Sequence, residues 1–218
     1  VTAEAKAKLQ GQLNEEYADE HASVQKISVV QTTAPKYEGE ATIAAYNSTF
    51  TVPLTVTSDG DTTLVTADGQ KLAAGFASAL QQDLATLTGK YSDYIMSPAM
   101  FQMMPASLKE AKADFVARLG VVTPIASEGR YYFGTGCAPH ECGENEVAWA
   151  IDKMTGKGAA VIMKNTLARP GMDAETTFSL YGATAENLPT PLAAWADQNG
   201  MTGWNMVPET PIYQLPPK

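Results

Sequence analysis

The first residues repeat an apolar position every fourth place. Ala5, Leu9, Leu13 and Tyr17 recur with Glu and Lys between them, the stripe of an amphipathic helix, and Thr2 stands where it can cap the start. The period then drops from about 3.6 to 2. Ile27 and Val29 fit a first strand, Ala41, Ile43 and Ala45 a second, and Phe50, Val52, Leu54 and Val56 a third. An Asp59-Gly60 turn follows, and Thr62 to Thr66 is the returning strand. Pro53 donates no amide to a ladder, so its strand is expected at a sheet edge or bulged. One helix lying on a small antiparallel meander buries these faces. Leu72, Phe76, Leu80, Leu84 and Leu87 form a second helical stripe, ended by Gly89.

After Gly89 the pattern changes. Ile95, Met96, Met100, Phe101, Met103 and Met104 crowd around Pro98. Met-rich segments can be adaptable binding surfaces, but an irregular core piece under a connection is the commoner use. Ser107-Leu108-Lys109-Glu110 reads as a capping box. Leu108, Ala111, Phe115 and Leu119 share one face of the helix it would start, closed by Gly120. Strands are expected at Tyr131 to Thr135, around Val147, Trp149 and Ile151, at Ala159 to Lys164 and at Thr176 to Tyr181, with turn residues from Asp152 to Gly158. From Leu188 the prolines at 189, 191, 208, 211, 216 and 217 predict a mostly irregular tail, with a helical stretch from Pro191 to Gln198. The fold class expected is α+β, helices packed on antiparallel sheets, in two domains: an accessory domain over 1–89 and a second over 90–218. Helix Leu72 to Leu87 fits either.

Composition narrows the function classes. At 44% hydrophobic and 18% charged residues the chain is globular. It has no apolar run of the roughly 18 residues that would suggest a membrane span. A net charge of −9 disfavours nucleic acid, whose phosphates require Lys and Arg; it favours encounter with a basic partner or, the blander reading of acidity taken by itself, serves solubility alone. Val1-Thr2-Ala3-Glu4-Ala5 reads as a mature or trimmed start.

The chemistry concentrates in Gly136-Cys137-Ala138-Pro139-His140-Glu141-Cys142-Gly143, between two predicted strands. In a reducing compartment the two cysteines would be a metal or redox pair, in an oxidising one a disulfide loop. A zinc site needs about four ligands; this loop offers two thiols and one imidazole, and the other histidine, His21, is distant. Cys-x-x-Cys, the usual redox and haem spacing, is absent. A cysteine nucleophile with His140 as base is sterically awkward at this spacing. Two readings remain: a structural staple with a solvated histidine, or a rigid recognition loop. If the cysteines are joined, closure removes unfolded-state freedom worth roughly 2 kcal/mol. Pro139 fixes its own φ and restricts Ala138, and Gly136 and Gly143 would let the chain turn sharply at both ends. A loop ordered in advance loses less entropy on docking.

The stretch resembles the inhibitor of vertebrate lysozyme (Ivy) family, whose hallmark is a Cys-Lys-Pro-His-Asp-Cys loop. Cys137, Pro139, His140 and Cys142 match it; Ala138 stands for the lysine and Glu141 for the aspartate. Strand Glu146 to Ile151, the Met154-Thr155-Gly156 turn, and Thr177 to Leu188 with Gly182 and Glu186-Asn187 are similar to the family's later strands. The likeness covers about Lys90 to Gly200. It implies a Cys137–Cys142 disulfide and a non-catalytic lysozyme inhibitor without cofactor or metal. The loop would occlude the catalytic cleft, with Ala138, Pro139, His140 and Glu141 as the lysozyme-binding residues and a chicken-type lysozyme as the partner. The expected location is periplasmic or secreted, with a lipid anchor if a removed N-terminal segment carried one. The alternative is a non-catalytic cell-envelope binding protein that uses the same loop scaffold for another partner.

Overall fold

Alternation of apolar and polar residues builds the first sheet, and the computed structural model shows how its faces are used. The structure describes residues 1–20, 22–166, 175–201 and 212–214; His21 and the tail residues Pro208, Pro211, Pro216 and Pro217 lie outside the described residues. The chain divides into two units, Val1–Ala85 and Thr86–Lys218.

In the first unit, β1 (Ser23–Thr33), β2 (Lys36–Ala45), β3 (Ser48–Ser58) and β4 (Thr63–Ala67) form an antiparallel sheet in the order β1-β2-β3-β4. α1 (Thr2–Glu16) and α2 (Gly69–Ala85) supply its helical layer. Ala5, Leu9 and Leu13 of α1 and Leu72 and Phe76 of α2 join Ala41, Ile43, Val52, Leu54 and Val56 in one core. Phe76 packs against Tyr17 in a tilted pair and meets Phe50 edge-on, with ring centroids 4.9 and 5.1 Å away. A register shift between Val24 and Lys26 lets both Val24 and Ile27 be buried although they are three positions apart; a bulge restores the parity a regular strand would lose.

Several local expectations change here. Thr2 is the first helical residue, and Val1 holds the cap position with no side-chain bond; the helix starts one residue earlier than Thr2 could cap. α2 ends at Ala85, so Leu87 lies beyond it, and Gly89 adopts a φ of 74° in the turn that follows. Pro53 sits in an interior strand, paired with Glu40 on β2. It is tolerated because β4 stops alongside it. The β3–β4 ladder ends at Leu54 and Ala67, and the Pro53 carbonyl accepts from the Asp68 amide at 3.1 Å. The missing N–H therefore points past the end of β4.

The second unit is built on a seven-stranded sheet. Its order is β11 (Ile212–Gln214), β10 (Glu175–Tyr181), β9 (Gly158–Thr166), β8 (Asn145–Asp152), β7 (Tyr131–Cys137), β5 (Val121–Val122), and β6 (Ala126–Glu128) also pairs β7. All these pairings are antiparallel. The tail thus contributes a strand, β11, that an irregular reading did not anticipate. α6 (Thr190–Gln198) covers one face: Leu192, Trp195 and Ala196 cluster with Ala148, Ala150, Val161, Met163, Phe178 and Leu180. The opposite row of β8 is Val147, Trp149 and Ile151, all fully buried. The Trp149 indole donates to the Ser92 carbonyl at 3.1 Å, at the head of the segment that includes α3 (Pro98–Phe101), α4 (Ala106–Glu110) and α5 (Lys112–Ala117). Ile95, Met100, Phe101, Met104, Leu108 and Phe115 are buried in that segment, so much of the Met-rich stretch is core.

The single helix expected from Ser107 to Leu119 is two short ones, broken at Ala111 (φ −89°, ψ 13°). Its capping box does not form. Pro105 holds the cap position with no side-chain bond, which leaves Ser107 inside the first turn. Among the described residues, no helix is long and apolar enough to cross a membrane.

Candidate functional site

β7 and β8 are joined by a hairpin whose tip runs from Ala138 to Glu144, and its lower rungs are regular. Gly136 pairs with Val147 and Cys137 with Glu146, and on the other side of β7 Val121 pairs with Cys137 and Val122 with Gly136. Gly136 serves close packing here, not a sharp turn: a Cβ on it would lie 2.7 Å from the Arg118 carbonyl oxygen. Gly143 does turn the chain, with φ at 92°.

The tip is organised by its main chain. The Ala138 amide donates to the Asn145 carbonyl at 2.9 Å, and the Asn145 amide donates back to the Glu141 carbonyl at 2.9 Å. The Glu141 amide donates to the Ala138 carbonyl at 3.0 Å, closing a turn with Pro139 second and His140 third. His140 has φ at 67°. Proline in the second place and a positive φ in the third are the marks of a type II turn, whose third place usually belongs to glycine or asparagine. A residue with a Cβ there costs about 1–2 kcal/mol. The Cys137–Cys142 disulfide closes the loop with its Cα atoms 5.1 Å apart. Cys137 is buried and Cys142 exposed, and Pro139, His140 and Glu141 are exposed at the apex. Among the described residues none hydrogen-bonds to the His140 imidazole.

Two contacts seat the loop from below. Pro139 lies flat on Gly120, where a Cβ would come within 2.6 Å of the ring's Cγ and Cδ. The Gly143 amide donates to Glu146 Oε1 at 2.6 Å. A side-chain chain runs in from α5. Arg118 is only 6% exposed. Its Nη1 donates to the Asp114 carbonyl at 2.8 Å and pairs with the Asp114 carboxylate. Its Nε points at the Met163 carbonyl at 3.4 Å, and its Nη2 donates to Asn145 Oδ1 at 3.0 Å. Asn145 Nδ2 in turn donates to Glu141 Oε2 at 2.6 Å.

The four apical residues and both cysteines named from sequence therefore meet in one small protrusion. Arg118, Asn145 and Gly120 were not anticipated. For Arg118 a signal exists: it falls three places after Phe115 on the apolar stripe of the helical segment, where a charge needs a buried partner. Asn145 carries no signal of its own, because its role follows from the register of the hairpin.

The site is thus a disulfide-closed Pro-His tip on an antiparallel hairpin, backed by a helical segment. Residues 99–199 match the family model described as Inhibitor of vertebrate lysozyme (Ivy). No curated protein and no solved structure matches. The Ivy match takes in the hairpin, Arg118 and Gly120, together with α6. Over this part the chain is similar to a family whose members inhibit lysozyme. The first 98 residues lie outside the Ivy match.

Proposed function

We propose that the protein inhibits lysozyme by inserting the Cys137–Cys142 loop into the catalytic cleft, with Ala138, Pro139, His140 and Glu141 in contact and a chicken-type lysozyme as the target. The observation that carries this reading is the exposed His140 at the apex of a cross-linked turn, inside the segment of family likeness. Lysozyme works with two carboxyl groups beside its scissile bond. An imidazole that reaches them donates hydrogen bonds, which are stronger when it is protonated. The tip is already ordered by three main-chain bonds and a disulfide, so little entropy is lost on docking. Glu141 keeps one carboxylate oxygen for a donor in the cleft while the other accepts from Asn145. The net charge of −9 draws a basic partner in.

The division of labour we propose gives inhibition to residues 90–218 and an accessory role to residues 1–89. A disulfide in the recognition loop fits a periplasmic or secreted protein.

The test is titration calorimetry of wild type and His140→Ala against chicken-type lysozyme, with a thermal melt of each free protein. Losing one partner of a buried charged contact typically costs about 2–5 kcal/mol, or roughly 30- to several-thousand-fold in Kd. The melt should hold, because the side chain is exposed and alanine keeps the same turn. An unchanged Kd with an unchanged melt refutes the plug.

A further inference from the structure

We infer that Arg118 and Asn145 are positioning residues of the binding loop, acting on its apex through Glu141. This rests on the reading of loop 137–142 as the lysozyme-binding element. Arg118 is buried and has only donors to offer. It therefore fixes which end of the Asn145 amide faces it: Oδ1 must turn toward the guanidinium, and Nδ2 is left facing Glu141. The amide direction is thus set by a group on another element, not by the loop. Asn145 then holds Glu141 twice, through Nδ2 to the carboxylate and through its amide to the carbonyl, and it also accepts from Ala138. Residues 138 and 141 are the two ends of the Pro139-His140 turn. One side chain anchored in the fold thereby fixes the direction in which the apex presents His140. Arg118 is itself held from two sides, by Asp114 and by the Met163 carbonyl, so the chain of bonds ends in the framework.

The arrangement makes a specific demand on polarity. Asn145→Asp keeps the size of the side chain and strengthens the contact to Arg118, but it sets a second carboxylate against Glu141. Affinity and stability should then move apart. Kd for chicken-type lysozyme rises about 10-fold or more, while the melting midpoint of the free protein holds or climbs. A merely structural asparagine would lose both together. Glu141→Gln restores a donor facing Asp at 145, so in that background the cost of Asn145→Asp falls to about twofold or less, and the cycle isolates the pair.

The same four proteins are compared without ligand by amide hydrogen exchange over residues 138–145. Exchange of the Ala138 and Asn145 amides accelerates in Asn145→Asp and returns toward the Glu141→Gln rate in the double variant. Equal costs of Asn145→Asp in both backgrounds, or affinity and midpoint falling in parallel, overturn the proposal. If the wild type does not bind this lysozyme, the functional reading fails. The exchange rates then decide the brace alone: unchanged rates in Asn145→Asp refute it, and acceleration reversed by Glu141→Gln supports it.

Discussion

Gly120→Ala drives a wedge under the loop from a position outside the proposed contact residues, pressing on Pro139 from below. The new Cβ would sit 2.6 Å from Cγ and Cδ of Pro139 and 3.6 Å from its nitrogen. Carbon atoms in contact rest about 3.5–4.0 Å apart, so the two must separate by about 1 Å. The ring cannot fold away, since its φ is fixed, and the loop cannot simply swing out, since the disulfide and the Ala138–Asn145 bond tether it. Forcing an extra carbon into a packed site typically costs about 1–3 kcal/mol. Pro139 is exposed on its other side, so the lower half of that range applies. The melting midpoint of the second unit should fall by about 3–6 °C, and Kd for chicken-type lysozyme should rise about 10-fold as the apex tilts. The assay is a thermal melt and a calorimetric titration of Gly120→Ala, repeated in a Pro139→Ala background. That second change removes the two ring carbons that would be struck, so the wedge should then cost little. Equal melts and equal Kd values for wild type and Gly120→Ala would refute the reasoning. So would a penalty that persists without the proline ring.

Two further perturbations test the framework. Gly11 lies inside α1 with open space where a Cβ would go, so Gly11→Ala should raise the denaturant midpoint of the first unit by the equivalent of about 0.5–1 kcal/mol, and a lower midpoint would contradict that. Burial raises the pKa of Asp152, but the bonds from Arg130 and the Met154 amide outweigh it and hold the carboxyl below its usual value. A depressed folded pKa gives stability that is present above the unfolded pKa of about 3.9 and lost as pH falls through the folded one. Wild type should therefore be more stable than Asp152→Asn at pH 6, with the gap closing below about pH 4 in melts across that range; a gap independent of pH would count against it.

How much of this was legible in the sequence depends on what sets each feature. Alternation located the strands because successive side chains take opposite faces: on β8 the large Val147, Trp149 and Ile151 point one way and the small Ala148 and Ala150 the other, with both rows buried. The stripe Ala5, Leu9, Leu13 marked α1 for the same reason. Caps and breaks were less legible, since they turn on a single residue's dihedral angles. Nothing in Glu110-Ala111-Lys112 opposes a helix, so the break at Ala111 comes from tertiary packing, which readily overrides propensity. Pro53 read as a mark of an edge or bulged strand because sequence shows the missing donor but not where the neighbouring strand stops. At the loop, the cysteines, Pro139 and His140 could be read as chemistry. The left-handed φ of His140 and the support from Arg118, Asn145 and Gly120 could not, because they depend on which residues the hairpin register and the α5–β5 turn bring together.

The bonds that shape the apex leave some of its positions idle. Ala138 takes part through its amide and carbonyl alone, and the His140 imidazole has no partner among the described residues. Glu141, by contrast, is held through main chain and carboxylate together. The side chains at 138 and 140 therefore carry none of the bonds of the frame, although the left-handed φ at 140 still restricts which residues fit there. Alanine in place of the Ivy lysine needs no compensating change elsewhere in the loop. Under the proposed reading, a change of side chain at the tip alters what the loop offers a partner, while a change at 118, 120 or 145 alters the frame that holds the tip.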